Sequence, residues 1–122
     1  ILAQRLVRVL CPICKKASRS SAGPQTSQDS SNGGEEHSSP SDVFYKAVGC
    51  KACLGTGYRG RVGVFEFLAI DDKIRSLLIG RPSVEAIRAE GKRNGMITLR
   101  RAAKQKVIQG LTSVEEARRV VT

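Results

Sequence analysis

Apolar positions fall close together in the first part of the chain and spread to a helical period in the last. ILAQRLVRVLC, residues 1 to 11, is rich in Leu and Val and ends on a cysteine. It reads as a strand running into that cysteine, though its alternation is imperfect and a short helix also fits. VFYKAVG (43 to 49) reads as a second strand, and RVGVFEFLAI (61 to 70) as a third. Between the first two, residues 18 to 42 are rich in Ser and hold no Val, Ile, Leu, Met or aromatic residue. Such a segment buries too little to offset its ordering entropy, and a disordered insert is expected.

From residue 71 the period is helical. Asp71 and Asp72 are placed to cap a helix that turns Ile74, Leu77 and Leu78 to one side and stops at Gly80 and Pro82. Ser83 opens a second helix, with Val84 and Ile87 inward and Gly95 as its stop. Thr98 opens a third, whose Leu99, Ala102, Ala103 and Val107 share a face and which ends at Gly110. Thr112 opens a fourth. Thr112-x-x-Glu115 matches a capping box, and Val114, Ala117 and Val121 face inward. The fold class expected is α+β, with short strands around the cysteines followed by a bundle of three to four short helices.

Length sharpens this picture. A chain of 122 residues without Trp, with only 4% aromatic residues, makes a small core of aliphatic side chains. Small cores often need a metal or disulfides. The net charge of +10 points to an anionic partner without choosing one. The excess peaks between Arg88 and Lys106, where Lys and Arg meet only Glu90. A solvated helix face, an acidic protein or membrane surface, and a nucleic acid all fit that peak. The sequence opens at Ile1 inside an apolar run, without Met, a signal-peptide pattern or a transmembrane-length apolar stretch. It reads as a piece of a longer protein.

The four cysteines form two pairs, Cys11-Pro-Ile-Cys14 and Cys50-Lys-Ala-Cys53. Two such knuckles bring four thiolates onto one ion, the pattern of a structural zinc with no open position for water. Two disulfides or a redox-active pair are the alternatives. The wide gap between the knuckles suits a long insert, because loop closure grows slowly with length. His37, the only histidine, lies in that insert and is expected to be solvated.

Gly55-Thr56-Gly57-Tyr58-Arg59-Gly60 matches G-x-G-x-x-G literally. A dinucleotide site needs a strand before it and a helix after it. Here a knuckle precedes and a strand follows, so the glycines are read as a tight turn. The chain has no G-x-x-x-x-G-K-[ST], hence no phosphate-cradling loop, and no nucleophile–base pair for hydrolysis.

Three stretches together carry a resemblance: AQRLVRVLCPICKK, GCKACLGTGYRGRVGVFEFLAIDD and GMITLRRAAKQKVIQGLTSVEEARRVV. They resemble the C-terminal part of the general-secretory-pathway E ATPases and of the related type IV pilus assembly ATPases, which are hexameric motors. The resemblance implies a tetracysteine metal-binding subdomain joined to a RecA-like P-loop core. Residues 1–10 would be the last strand of that core, 11–60 the metal subdomain with its insert 18–42, and 61–122 a strand plus a helical subdomain. Cys11, Cys14, Cys50 and Cys53 would hold a structural zinc. ATP and magnesium would bind only in the intact protein, since the family's P-loop, second acidic motif and histidine motif lie upstream of QRLVR. This stretch alone would then be inactive.

The intact motor would be a homohexamer in the cytoplasm, docked on inner-membrane secretion or pilus platform proteins. It would couple ATP hydrolysis to pseudopilus assembly and protein export, with no nucleic acid expected. Arg61, more than Arg59, matches the family's GYxGR and would reach the nucleotide or a subunit boundary. A surface arginine paired with Glu66 is the plainer reading. The sequence departs from the family in its long insert and in Arg101, which sits against the dipole of a helix start. CxxCxGTG also resembles the zinc-binding repeats of heat-shock 40 kDa chaperones, although Cys11–Lys16 lacks the glycines. Charge alone leaves a zinc-ribbon nucleic-acid binder as a further alternative.

Overall fold

The computed structural model describes residues 1–18 and 43–121. Most of the Ser-rich insert, with His37, lies outside the described residues. Among these described residues, four strands and four α-helices follow in order: β1 (Leu2–Leu10), β2 (Lys16–Ser18), β3 (Phe44–Lys46), β4 (Tyr58–Phe67), α1 (Asp72–Ile79), α2 (Val84–Arg93), α3 (Leu99–Ile108) and α4 (Val114–Val121). The architecture is α+β, as expected.

β1 and β4 pair antiparallel from Leu2 opposite Phe67 to Arg8 opposite Arg61. One side of this ribbon carries Val7, Val62 and Val64. Against it α3 brings Leu99, Ala103 and Val107, and α4 brings Val114 and Ala117. Val7, Val64, Ala103, Val107 and Ala117 are buried and form the core. The other side of the ribbon leaves Leu2, Leu6, Phe65 and Phe67 exposed. β2 and β3 make a second, three-residue ladder from Lys16 opposite Lys46 to Ser18 opposite Phe44. Ser18 is therefore a strand residue and not the start of the insert.

Strand bounds differ from those expected. β3 is shorter than 43–49. β4 starts at Tyr58 rather than Arg61 and stops at Phe67 rather than Ile70. Near its start, Arg59 and Gly60 together face the single residue Val9, a bulge that shifts the ladder between Arg8 and Leu10.

The helix starts at Asp71, Ser83 and Thr98 are as expected, each side chain accepting a backbone N–H three residues on. The inward assignment of Val84 fails, and Leu78 does not share the burial of Ile74 on its face. Leu78 and Val84 are exposed, while the α1–α2 hairpin buries Ile74 and receives Leu68 and Met96 against Gly91. The fourth helix starts one residue later than expected. The Ser113 hydroxyl accepts the Glu116 N–H, while the Thr112 hydroxyl donates to the Arg8 carbonyl at 2.8 Å. The Thr112–Glu115 capping box does not form, and Glu115 is exposed.

Candidate metal centre

β1 delivers the first knuckle. The Leu10 N–H donates to the Leu111 carbonyl at 2.8 Å, and the Cys11 N–H donates to the Gly57 carbonyl at 2.9 Å. A turn through Pro12 and Ile13 closes where the Lys15 N–H meets the Cys11 carbonyl. The second knuckle is a single 3₁₀ turn, Lys51–Cys53. It is closed by the Gly55 N–H on the Cys50 carbonyl and by the Thr56 hydroxyl on the Cys53 carbonyl.

The four Sγ atoms lie within 4.8 Å of one another. Neighbouring pairs stand at 3.9 Å (Cys11–Cys50), 3.8 Å (Cys14–Cys53) and 3.7 Å (Cys50–Cys53). A disulfide would need about 2.05 Å. Zinc–sulfur bonds of about 2.3 Å make a tetrahedron with edges near 3.8 Å. All four thiols are free, and the cluster fits the metal reading rather than two bridges. Cys11 and Cys53 are buried, Cys14 and Cys50 half-buried.

Backbone donors surround the sulfurs. Gly49 N–H points at Cys14 Sγ (3.3 Å), while Cys50 N–H (3.1 Å) and Gly57 N–H (3.2 Å) both point at Cys53 Sγ. Burial works to raise the Cys53 pKa, but the two N–H groups together with hydrogen bonds from the Cys50 and Cys14 side chains bring it down to about 6. At Cys14 burial prevails over the single Gly49 donor, and the thiol is pushed up to about 11. The Cys11 thiol is lowered, chiefly by the Ile13 N–H acting against burial. The fold thus prepares part of the negative charge that a cation would collect.

Gly49 and Gly57 are required by the same geometry. Their φ values are +113° and +77°. An added Cβ would stand 2.6 Å from the Gly55 carbonyl oxygen at the first and 2.6 Å from Ala47 Cβ at the second. Gly57→Ala is therefore expected to cost on the order of 1–3 kcal/mol and to loosen zinc by displacing the Cys53 donor. Gly60, at φ +81° with open space around it, provides the comparison. Gly60→Ala should be the milder change in thermal melts and in competition with a chromophoric chelator. Equal losses in both would deny the packing argument.

Several residues that sequence reasoning missed tie the centre to the helices. Lys15 Nζ donates to the Gly110 carbonyl at 3.0 Å and lies 4.7 Å from the Tyr45 ring centroid. The Tyr58 hydroxyl meets the Ser113 hydroxyl at 2.7 Å. The Glu116 side chain, wholly buried, accepts from the Arg8 backbone N–H and guanidinium and from two nitrogens of Arg119. Arg8 also lies 4.2 Å from the Tyr58 ring centroid. One signal for Glu116 was present: 113, 116, 117 and 120 form one helical face, with an acid inside it.

Arg59 and Arg61 are exposed. Glu66 does not pair with Arg61; its carboxylate accepts the Leu99 N–H at 2.9 Å, at the start of α3. That contact also answers the unfavourable Arg101, because a strand residue supplies the negative charge that the helix start lacks. The turn 55–60 joins a knuckle to a strand, and no helix follows it.

A tetracysteine cluster set against an antiparallel ribbon and a helical bundle defines a metal-binding α+β unit. The chain belongs to the family described as Type II/IV secretion system protein, whose sequence profile matches residues 1–119. It is 38% identical over 123 residues to the Type IV pilus assembly ATPase TfpB of Acinetobacter baylyi, covering 99% of this chain and 20% of that protein. It is 38% identical over 116 residues to the Type IV pilus assembly ATPase PilB of Thermus thermophilus, covering 95% and 13%. It is 37% identical over 120 residues to the Type II secretion system protein E of Pseudomonas aeruginosa, covering 98% and 22%. The chain thus spans about a fifth or less of the length of these relatives. The family match replaces the chaperone and zinc-ribbon readings. Among the described residues, no helix is long and apolar enough to cross a membrane.

Proposed function

We propose that this chain is the metal-binding and helical region of a hexameric motor that couples ATP hydrolysis to pseudopilus or pilus assembly and so to protein export. The observation that carries the reading is the Cys₄ cluster bonded into the helical bundle of a chain from this family. Its relatives' names, which include both pilus assembly ATPases and secretion proteins, support the motor class.

Cys11, Cys14, Cys50 and Cys53 would hold one zinc ion, whose bonds join two segments far apart in sequence and leave no position for substrate. ATP and magnesium would bind elsewhere in the intact protein, since these 122 residues carry no P-loop. Residues 1–10 would end the ATPase core, 11–60 form the metal subdomain, and 61–122 the strand and helical subdomain. The motor would work in the cytoplasm as a homohexamer against inner-membrane platform proteins, without nucleic acid.

Arg61 is our candidate contact to the nucleotide or to a neighbouring subunit. It follows the Arg59–Gly60 bulge on a strand that starts next to the centre, so its mount is stiff. Among the described residues, no carboxylate lies within ion-pair distance of it. Guanidinium offers a planar fork of donors that Lys lacks. The test is Arg61→Lys in the intact motor. Zinc content and melting temperature should hold while the ATPase rate of the assembled hexamer falls by about tenfold or more. An unchanged rate would leave Arg61 a plain surface residue, and an intact protein that stays monomeric with nucleotide would sink the motor reading.

A further inference from the structure

α3 is divided lengthwise by its own sequence. At about 100° per residue, Leu99, Ala102, Ala103, Lys106 and Val107 occupy the arc that meets the ribbon and α4. Arg100, Arg101, Lys104, Gln105 and Ile108 occupy the opposite arc, and all five are exposed. The inner arc is fully engaged: Ala103 and Val107 are core residues, and Glu66 and Thr98 cap the helix start from within the fold. Among the described residues, no hydrogen bond or ion pair engages the side chains of the outer arc. Among the described residues, Arg100, Arg101 and Lys104 have no carboxylate within 4.0 Å. Ile108 keeps 47% of its surface open beside them.

We propose that the outer arc of α3, formed by Arg100, Arg101, Lys104 and Ile108, is a docking surface for an acidic amphipathic helix of another protein. Three clustered cations and one apolar side chain on a rigid helix match carboxylates and a leucine presented at helical spacing. A second copy of these 122 residues is a poorer match for that partner. It carries 21 Lys and Arg against 11 Asp and Glu, so like charge would face like. Several of its acids are also held internally, Glu66 by Leu99, Glu116 by Arg8 and Arg119, and Asp71 by Asn94. A lipid surface fits less well, because membrane-surface helices bury a broad apolar face with aromatic residues. Here cations fill the arc and Ile108 is its only large apolar residue. The inference rests on the charges of α3 and stands apart from the motor reading.

The test uses the zinc-loaded chain and a labelled, capped helical peptide of about 15 residues, with Glu at i, i+3 and i+4 and Leu at i+7. Fluorescence anisotropy should show binding that weakens as salt rises. Arg101→Glu combined with Lys104→Glu should loosen it by about tenfold or more, and Ile108→Ser should loosen it severalfold, with zinc content and melting temperature unchanged. Vesicles of phosphatidylglycerol and phosphatidylcholine should sediment little of the chain. No binding of the peptide by the unmodified chain would overturn the proposal. So would equal binding by the charge-reversed variant, or vesicle binding that the reversal abolishes while the peptide is unaffected.

Discussion

Removing zinc with a chelator, or replacing Cys50 by Ser, is expected to unfold the knuckles and the adjoining ends of β1 and β4 together. The reason lies in how little else holds this end of the molecule. Among the described apolar side chains, only Leu10, Cys11 and Cys53 are buried near the centre, and the β2–β3 ladder has three residues per strand. A structural zinc site contributes on the order of 10 kcal/mol, comparable with the whole stability of a small domain. Loss of one thiolate should therefore be severe. Deleting residues 20 to 40 should be mild by contrast, since each doubling of a loop changes closure by only about 0.6 kcal/mol. Elemental analysis should give one zinc per chain, lost with the cooperative melt. A metal-free chain that stays folded, or a deletion more damaging than Cys50→Ser, would refute this account. Acid should act in the same direction as the chelator. Ligand thiols must lose their protons, and the Cys14 thiol, pushed up to about 11, holds its proton most tightly. Zinc affinity should thus fall as pH falls.

The centre was legible because its information is local. Cys-x-x-Cys fixes each knuckle within four residues, and N-caps such as Asp71, Ser83 and Thr98 act over a single turn. The errors fall where distant partners decide. Thr112 and Ser113 are equal candidates for a cap, and the choice is made by the Arg8 carbonyl, which takes the Thr112 hydroxyl. Val84 and Leu78 have the right spacing for a buried face, but the α1–α2 hairpin meets too little of the molecule to cover them. The bulge at Arg59–Gly60 comes from pairing with Val9, which the local sequence does not show. One miss was avoidable. Residues 61 and 66 differ by an odd number, so an uninterrupted strand places Arg61 and Glu66 on opposite faces. The period of two already argued against that pair, and the same alternation sends Glu66 inward to α3.

Glu116→Ala is expected to cost about 3 kcal/mol, the low end for breaking a buried ion pair because both arginines keep access to water. The carboxylate collects four donors: the Arg8 backbone N–H at 3.1 Å, the Arg8 guanidinium at 2.7 Å, and Arg119 at 2.8 and 3.0 Å. Through them α4 is fixed to β1 at the point where β1 turns into the metal centre. The hydrogen bonds from Arg119, followed by those from Arg8, overcome burial and hold the Glu116 carboxyl well below the usual carboxylate range. A depressed folded pKa gives stability that is present above the unfolded value, about 4.3, and lost as pH falls below it. The stability gap between the unmodified chain and Glu116→Gln should therefore stay constant from pH 8 to about 5.5 and narrow only towards pH 4. Zinc-linked stability falls over the upper part of that range, so the two contributions separate in denaturant melts. Glu116→Gln should also keep its zinc while the amides of α4 exchange faster, because the donors to this carboxylate are Arg8 and Arg119 and none of its hydrogen bonds reaches a cysteine. A gap that closes between pH 8 and 6, or a variant that loses zinc and α4 protection in equal measure, would contradict the independent clamp.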